Sequence, residues 1–307
     1  MDFTTELKGK AKAFGADLVG IAPLERFASE PPQRHPASIF PGGKAVIAVG
    51  RRITRGTLRG IEEGTNWNSY TIFGYNNLDD AWVAETCYDL CMFLEDNGWE
   101  GVPIFPHPPE VWPQGVAVAP DRPAPNVIPD FDFAAVAAGL GEIGYGGFFL
   151  SPEFGPRQRL GLIITDAPLV ADPLFQGDLC GDCRQCAIQC PLGAISEEEF
   201  SEVACEDKKM QVGKIQEELC RKCQNGAFAN RYHKRGKPER KAALCARTCM
   251  VALERAGKLE NTFEAPFRKR PQWAVNIWGE AGIMEEGEGG AQWRGCADPG
   301  STAQGGK

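Results

Sequence analysis

The chain has 307 residues, of which 43% are hydrophobic, and a formal net charge of −8 at pH 7. Such a length allows one large core or two smaller ones. The acidic balance argues against a protein that binds nucleic acid through its phosphates, because that requires a basic surface. No stretch approaches ~18 uninterrupted apolar residues, and no apolar leader opens the chain, so we expect a soluble protein of the reducing cytoplasm without a membrane partner.

The first 170 residues alternate predicted helices with predicted strands. Apolar residues at helical spacing predict helices over residues 3–14, which Gly15 would end, and over residues 78–97. A shorter helix is expected over residues 131–140. Short apolar runs between turn residues predict strands at 17–22, 45–49, 148–150 and 159–165. This alternation predicts an α/β or α+β domain over residues 1–170.

The composition changes near Ala171. Residues 171–283 are rich in cysteine and in short helical patterns, which predicts a second domain. Residues 284–307 are Gly-rich and weakly apolar, so a flexible tail is expected there. In the first domain, the prolines of residues 100–130 predict an extended loop, and a loop of that length is typical of a functional lid or wall.

The strongest chemical signal is the cysteine run of residues 180–191, CGDCRQCAIQCP. Its spacing, C-x2-C-x2-C-x3-C followed by proline, is that of bacterial ferredoxins, in which three thiolates hold one 4Fe-4S cluster and the fourth reaches a second cluster. Nine of the twelve cysteines lie between Cys180 and Cys249, which is the clustering of a metal site rather than of a disulfide framework.

A second cysteine set repeats the first in a stretched form, as a C-x2-C pair and a C-x3-C pair. If the fourth ligands are exchanged, one cluster is held by Cys180, Cys183, Cys186 and Cys249. The other cluster is then held by Cys190, Cys220, Cys223 and Cys245.

Two other assignments compete with this one. Cys205 could join Cys190, Cys220 and Cys223 in the second cluster, which would leave Cys245 or Cys249 without a role. Alternatively, a four-thiolate zinc site could use the second set alone, Cys220, Cys223, Cys245 and Cys249. The zinc assignment does not explain the first run and its proline, so two 4Fe-4S clusters are the preferred prediction.

A glycine-rich segment precedes the cysteine run. Residues 138–169 read AGLGEIGYGGFFLSPEFGPRQRLGLIITDAPL, a glycine turn, an apolar strand, a Pro/Gly turn and a second apolar strand. The string GLGEIG has the form G-x-G-x-x-G but precedes a strand rather than a helix, so it fits a dinucleotide fingerprint poorly. The glycines would let the backbone approach a bulky flat ligand.

Taken with DLVGIAPL and FPGGKAVIAVG upstream, this segment and the first cysteine run resemble the superfamily of corrinoid-dependent epoxyqueuosine reductases and reductive dehalogenases. The resemblance covers roughly residues 5–250. It implies a nitroreductase-like domain that holds cobalamin without its lower base, followed by a ferredoxin-like domain whose two clusters reduce the cobalt. It also implies corrinoid contacts in the glycine segment, from Gly139, Gly141, Gly144, Tyr145 and Phe148.

The chain departs from the tRNA-modifying members of that superfamily. Residues 73–76 read FGYN where those enzymes carry a DYH-like acid motif at the start of the long helix. The C-terminal helical-repeat extension that binds tRNA is also missing from the sequence. Because the chain is acidic as well, a tRNA substrate is not expected.

The dehalogenases place a tyrosine near the upper face of the corrinoid as a proton donor. Tyr75 or Tyr70 could take that role here. A phenol, with a reference pKa near 10, needs a nearby cation to release its proton to a developing carbanion. The candidate cations in the sequence are Arg51, Arg52 and Arg55.

The predicted function is a corrinoid-dependent reductase for a small, halogenated or oxygenated substrate, with ferredoxin or flavodoxin as the electron donor. One alternative is a corrinoid-free electron-transfer subunit that docks to a separate reductase or corrinoid protein. Another is the same scaffold with a different planar cofactor, such as a flavin or a tetrapyrrole.

Overall fold

The structure is a computed structural model, and it describes residues 2–104, 115–232, 236–287 and 290–295. The helices are α1 (Phe3–Ala13), α2 (Arg59–Glu62), α3 (Asn68–Tyr70), α4 (Ala84–Asp96), α5 (Phe131–Ala137), α6 (Gln185–Ile188), α7 (Glu217–Arg221) and α8 (Leu244–Arg255). The strands are β1 (Leu18–Pro23), β2 (Ala45–Arg52), β3 (Gly101–Ile104), β4 (Glu142–Gly144), β5 (Phe148–Leu150), β6 (Gln158–Thr165), β7 (Ile195–Cys205), β8 (Lys208–Ile215), β9 (Gln272–Val275), β10 (Ala281–Gly287) and β11 (Gly290–Gly295).

A four-stranded sheet in the order β1-β2-β6-β3 lies within the first 170 residues. Every strand pair in it is antiparallel, so of the two predicted classes the structure is α+β. Alternate residues of β2 face opposite sides, because side chains along a strand have a period of two. Ile47 and Val49 pack towards α1 and α4, whereas Val46 and Ala48 pack towards α5. The central strands are therefore covered by helices on both faces.

The predicted helix over residues 78–97 is regular only in its second half. Residues Thr71–Asn76 and Leu78–Val83 form two π-helical turns, and α4 follows directly. Such turns widen the helix, are rare, and often occur at functional sites. Here they carry Tyr75 and Asp79 into the interior beside β6.

The second half of the chain contains more strand than predicted. The β7–β8 hairpin pairs from Ile195↔Ile215 to Cys205↔Lys208. Its middle residues are mostly exposed, so the apolar alternation by which a strand is recognised in a sequence is missing from SEEEFSE. The strands β10 and β11 also pair with each other, which places strand within the segment for which a flexible tail was predicted. In the described ranges no helix is long and apolar enough to cross a membrane.

Candidate functional site

Four thiols line a cavity between α6, α8 and the β4–β5 hairpin; they belong to Cys180, Cys183, Cys186 and Cys249. The loop before α6 turns tightly, with Gly181 at φ 50° and Arg184 at φ 47°. Cys180 and Cys183 lie in this loop and Cys186 follows in α6, whereas the fourth thiol comes from α8. The backbone N–H of Tyr145 donates to Sγ of Cys180 over 3.1 Å.

A second cavity is lined by the other four predicted ligands, Cys190, Cys220, Cys223 and Cys245. Two backbone N–H groups donate to these sulfurs, from Ala194 to Cys190 over 3.3 Å and from Asn225 to Cys223 over 3.4 Å. Such hydrogen bonds stabilise the negative charge that a thiolate or a bound cluster carries.

Each cavity receives three thiols from one cysteine set and its fourth thiol from the other set. Cys245 and Cys249 lie one turn apart on α8 and line different cavities. Cys186 of α6 lines the first cavity, and Cys190, just beyond this helix, lines the second. The structure thus groups the thiols as the exchanged-ligand assignment does, while their role as ligands stays a prediction.

Both competing assignments fit this placement less well. The zinc set would need Cys249 beside Cys245, but the two thiols line separate cavities. Cys205 ends β7 and is buried in the core with Met210, lining neither cavity. Within the described ranges no three His, Cys, Asp or Glu side chains converge closely enough to hold a single ion. Each group of thiols instead surrounds an open space, as a polynuclear cluster requires.

The glycine segment meets the first cavity rather than an open ligand face. Gly144, Tyr145 and Phe148 line this cavity, and a Cβ on Gly144 would lie 3.4 Å from Sγ of Cys180. A Cβ on Gly139 would lie 2.2 Å from the carbonyl oxygen of Pro173, and one on Gly141 would lie 1.9 Å from that of Leu150. These last two glycines therefore serve close backbone packing inside the protein, and the flat-ligand contact of this segment stays a prediction.

Tyr75 lies between two guanidinium groups. The Cζ atom of Arg159 is 4.7 Å from the centre of its ring, and that of Arg231 is 4.8 Å away. Burial raises the pKa of Tyr75, and the two cations oppose the rise. The phenol therefore keeps its proton at neutral pH, while cations within reach can stabilise the phenolate left when that proton is donated.

Tyr70, the other predicted proton donor, is fully buried and hydrogen-bonded. Its hydroxyl donates to Glu239 over 2.7 Å and accepts from Arg159 over 2.8 Å. Arg159 also pairs with Glu239 over 2.8 Å and with Asp79 over 3.6 Å. Tyr70 is thus part of the support that holds Arg159 against Tyr75.

The cations predicted to assist the tyrosine lie elsewhere. Arg51 donates to the carbonyl of Trp82, Arg52 pairs with Asp17 over 3.4 Å, and Arg55 pairs with Glu254 over 3.1 Å. Arg159 and Arg231 take that place instead. Arg159 could have been noticed in the sequence, because a charged residue is unusual at the start of a buried strand such as RLGLIIT. Arg231 could not, because it lies in a basic run that resembles solvated loop charge.

Comparison with known proteins gives partial matches. The tetrachloroethene reductive dehalogenase of Desulfitobacterium hafniense is 35% identical over 124 residues, which is 39% of this chain and 19% of that protein. The epoxyqueuosine reductase of Synechococcus sp. is 44% identical over 63 residues, 20% of this chain and 19% of that protein. The chain is related to both families. No protein-family model matches it, and it spans less than a fifth of the length of these relatives.

Solved structures of both families share its fold. The catabolic reductive dehalogenase NpRdhA superposes with a TM-score of 0.53 at 20% identity, over 83% of this chain and 34% of that one. An epoxyqueuosine reductase in complex with a tRNA stem loop superposes with a TM-score of 0.51 at 17% identity, over 86% of this chain and 67% of that one. The fold relationship thus extends over more of the chain than the sequence similarity does.

A buried carboxyl, that of Asp79, pairs with the arginine that lies against Tyr75. Burial raises the pKa of Asp79 to about 6; Arg159 opposes the rise, and the negative charge of Glu239 adds to it. The folded protein therefore binds this proton more tightly than the unfolded chain, where the pKa is about 3.9. The contribution of Asp79 to stability consequently falls as the pH rises from about 4 to about 6.

The variant Asp79→Asn cannot titrate and should lose this pH dependence. Relative to the wild type, its free energy of unfolding should increase by on the order of 2 kcal/mol between about pH 4.5 and about pH 7.5, as urea denaturation can measure. The matched control is Asp80→Asn, since Asp80 is 47% exposed. An equal pH trend in the two variants would show that burial of Asp79 is not the cause.

Proposed function

We propose that this chain is a reductase in which two 4Fe-4S clusters pass electrons to a corrinoid that reduces a small, halogenated or oxygenated organic substrate. The observation that carries the proposal is the division of eight thiols between two neighbouring cavities that exchange their fourth members. Relationship to the two reductase families supports an oxidoreductase. An external ferredoxin or flavodoxin of the cytoplasm would supply the electrons.

The thiols suit the clusters chemically. Burial raises the pKa of Cys220 to about 11 and that of Cys245 to about 12, while the charge of Arg240 opposes both shifts. Without metal these thiols are protonated at neutral pH, so cluster assembly must release their protons. Arg240 would then offset part of the negative charge of the second cluster.

Two buried donors suit a corrinoid, whose rim carries amide oxygens. Nε of Arg231, beside Tyr75, and Nη1 of Arg240, beside Phe148, are buried and have no hydrogen-bond partner among the described residues. A buried donor without a partner is costly, so an acceptor on a bound ligand would relieve both. A bound corrinoid would supply the strongly reducing metal centre, which is chemistry that no side chain provides.

The tyrosine cluster would supply the proton that a reduced substrate needs. Tyr75 holds it at the phenol oxygen, and Arg159 and Arg231 stabilise the phenolate that remains. Because Tyr75 is 7% exposed, bulk water has little access to the phenol. The proton that completes reduction of the substrate would then come from Tyr75 rather than from bulk water.

Metal analysis of the anaerobically reconstituted protein tests this function. After reconstitution with iron, sulfide and cobalamin, we expect about eight irons and about one cobalt per chain, with corrinoid absorbance and the EPR signals of reduced 4Fe-4S clusters. Full iron without bound cobalt would exclude the corrinoid and return the chain to an electron-transfer role. Iron that stays near four would exclude the second cluster.

A further inference from the structure

A wide groove runs along the outer side of the two cysteine-bearing helices. It lies between α6, α8 and the segment that leads into β9, and it is open to solvent. Gln185 and Ala252 line both this groove and the first cysteine cavity. A single layer of side chains therefore separates a molecule in the groove from the first cluster site.

The groove is basic, although the chain as a whole carries a net charge of −8. Its cations are Arg255, Arg268, Lys269 and Arg270. The acid among the lining residues, Glu285, pairs with Arg294 over 3.0 Å. A positive face on an acidic molecule selects where a negatively charged partner can approach.

The cations divide into structural and exposed ones. Arg268 donates to Glu62 over 2.7 Å and is mostly buried, so it is needed for packing. Arg255, Lys269 and Arg270 are exposed at the rim, where Arg270 pairs with Glu63. Cations spread along an open rim suit a broad, acidic protein surface better than a small anion, which needs donors that converge on it.

We propose that this groove is the docking site of a small acidic electron-carrier protein and that electrons enter through the cluster of Cys180, Cys183, Cys186 and Cys249. The proposal rests on the proposed function, since it requires that cluster. In the transfer step the reduced carrier loses one electron and the cluster gains it, with no bond formed or broken. Because Gln185 and Ala252 line both the groove and the first cysteine cavity, the path from the redox group of the carrier to the cluster is short.

Charge reversal at the rim tests the docking site. The double variant Arg255→Glu/Lys269→Glu is compared with Lys10→Glu/Lys12→Glu, which changes the net charge equally at exposed positions of α1. The probe is a reduced acidic flavodoxin, mixed anaerobically with the reconstituted protein in stopped flow. Binding of oxidised flavodoxin is measured separately by calorimetry.

We expect the rim variant to bind flavodoxin at least ~10-fold more weakly and to be reduced at least ~10-fold more slowly at low ionic strength, with the difference shrinking in high salt. The α1 variant should behave as the wild type. Photoreduced deazaflavin, a small reductant, should reduce all three proteins equally. Its failure to reduce wild-type clusters would refute the proposed function itself.

Three results would overturn the docking proposal while leaving the clusters in place. One is equal reduction of rim variant and wild type by flavodoxin. A second is equally weakened flavodoxin binding in the α1 variant, which would show that net charge, and not the groove, causes the effect. A third is salt-dependent binding of a tRNA stem loop that the rim variant abolishes while its reduction by flavodoxin stays at the wild-type rate.

Discussion

Replacing Cys190 with alanine should remove about half of the iron, although Cys190 stands in the same run as three thiols of the other cavity. In the structure Cys190 lines the second cavity with Cys220, Cys223 and Cys245. Loss of one of four thiolates should prevent that cluster from assembling and leave about four irons per chain. Iron and sulfide analysis of anaerobically reconstituted protein measures the result.

The complementary variant is Cys249→Ala, which should prevent the first cluster from assembling and leave about four irons per chain. The EPR spectra of the two variants after reduction should then differ, because each retains the cluster that the other has lost. Cys205→Ala is the matched control, since Cys205 is buried yet lines neither cavity, and its iron should stay near eight. Identical residual spectra in the first two variants, or half the iron in the third, would contradict the exchanged-ligand assignment.

The grouping of the thiols could be predicted from the sequence because the spacing of neighbouring ligands limits which cluster they can reach. A C-x2-C-x2-C loop folds around one cluster, so Cys180, Cys183 and Cys186 belong together before any tertiary structure is known. The short apolar strands could be predicted for a similar local reason. Burial on both faces makes the central parts of β2 and β6, AVIAV and LGLII, apolar.

The environment of Tyr75 could not be predicted in this way. Its two cations come from β6 and from the basic loop, 84 and 156 positions along the chain, and local pattern does not record such contacts. The arginines predicted to assist it, Arg51 and Arg55, are engaged by Trp82 and Glu254 instead. The π-helical turns that direct Tyr75 inwards also cannot be recognised from the spacing of apolar residues in the sequence.

The variant Tyr75→Phe should lower kcat by ~100-fold or more, because a positioned general acid contributes about that much to a rate. Its KM and iron content should stay close to those of the wild type, since the ring remains between Arg159 and Arg231. Reconstituted protein would be assayed with tetrachloroethene and with a bromophenol, using the substrate that the wild type reduces. Because burial raises the pKa of Tyr75 above 10, wild-type activity should show no loss from this group between about pH 7 and about pH 9.

Tyr70→Phe separates proton donation from support of the site. The Tyr70 hydroxyl bonds to Glu239 and Arg159, so its removal leaves two buried groups partly unsatisfied and should cost roughly 1–3 kcal/mol of folding stability. Its kcat should fall far less than that of Tyr75→Phe, since the phenol at position 75 and both of its cations are retained. If the two variants lose activity equally, Tyr75 acts only through the packing of the cluster. If Tyr75→Phe turns over at the wild-type rate, the proton comes from another group.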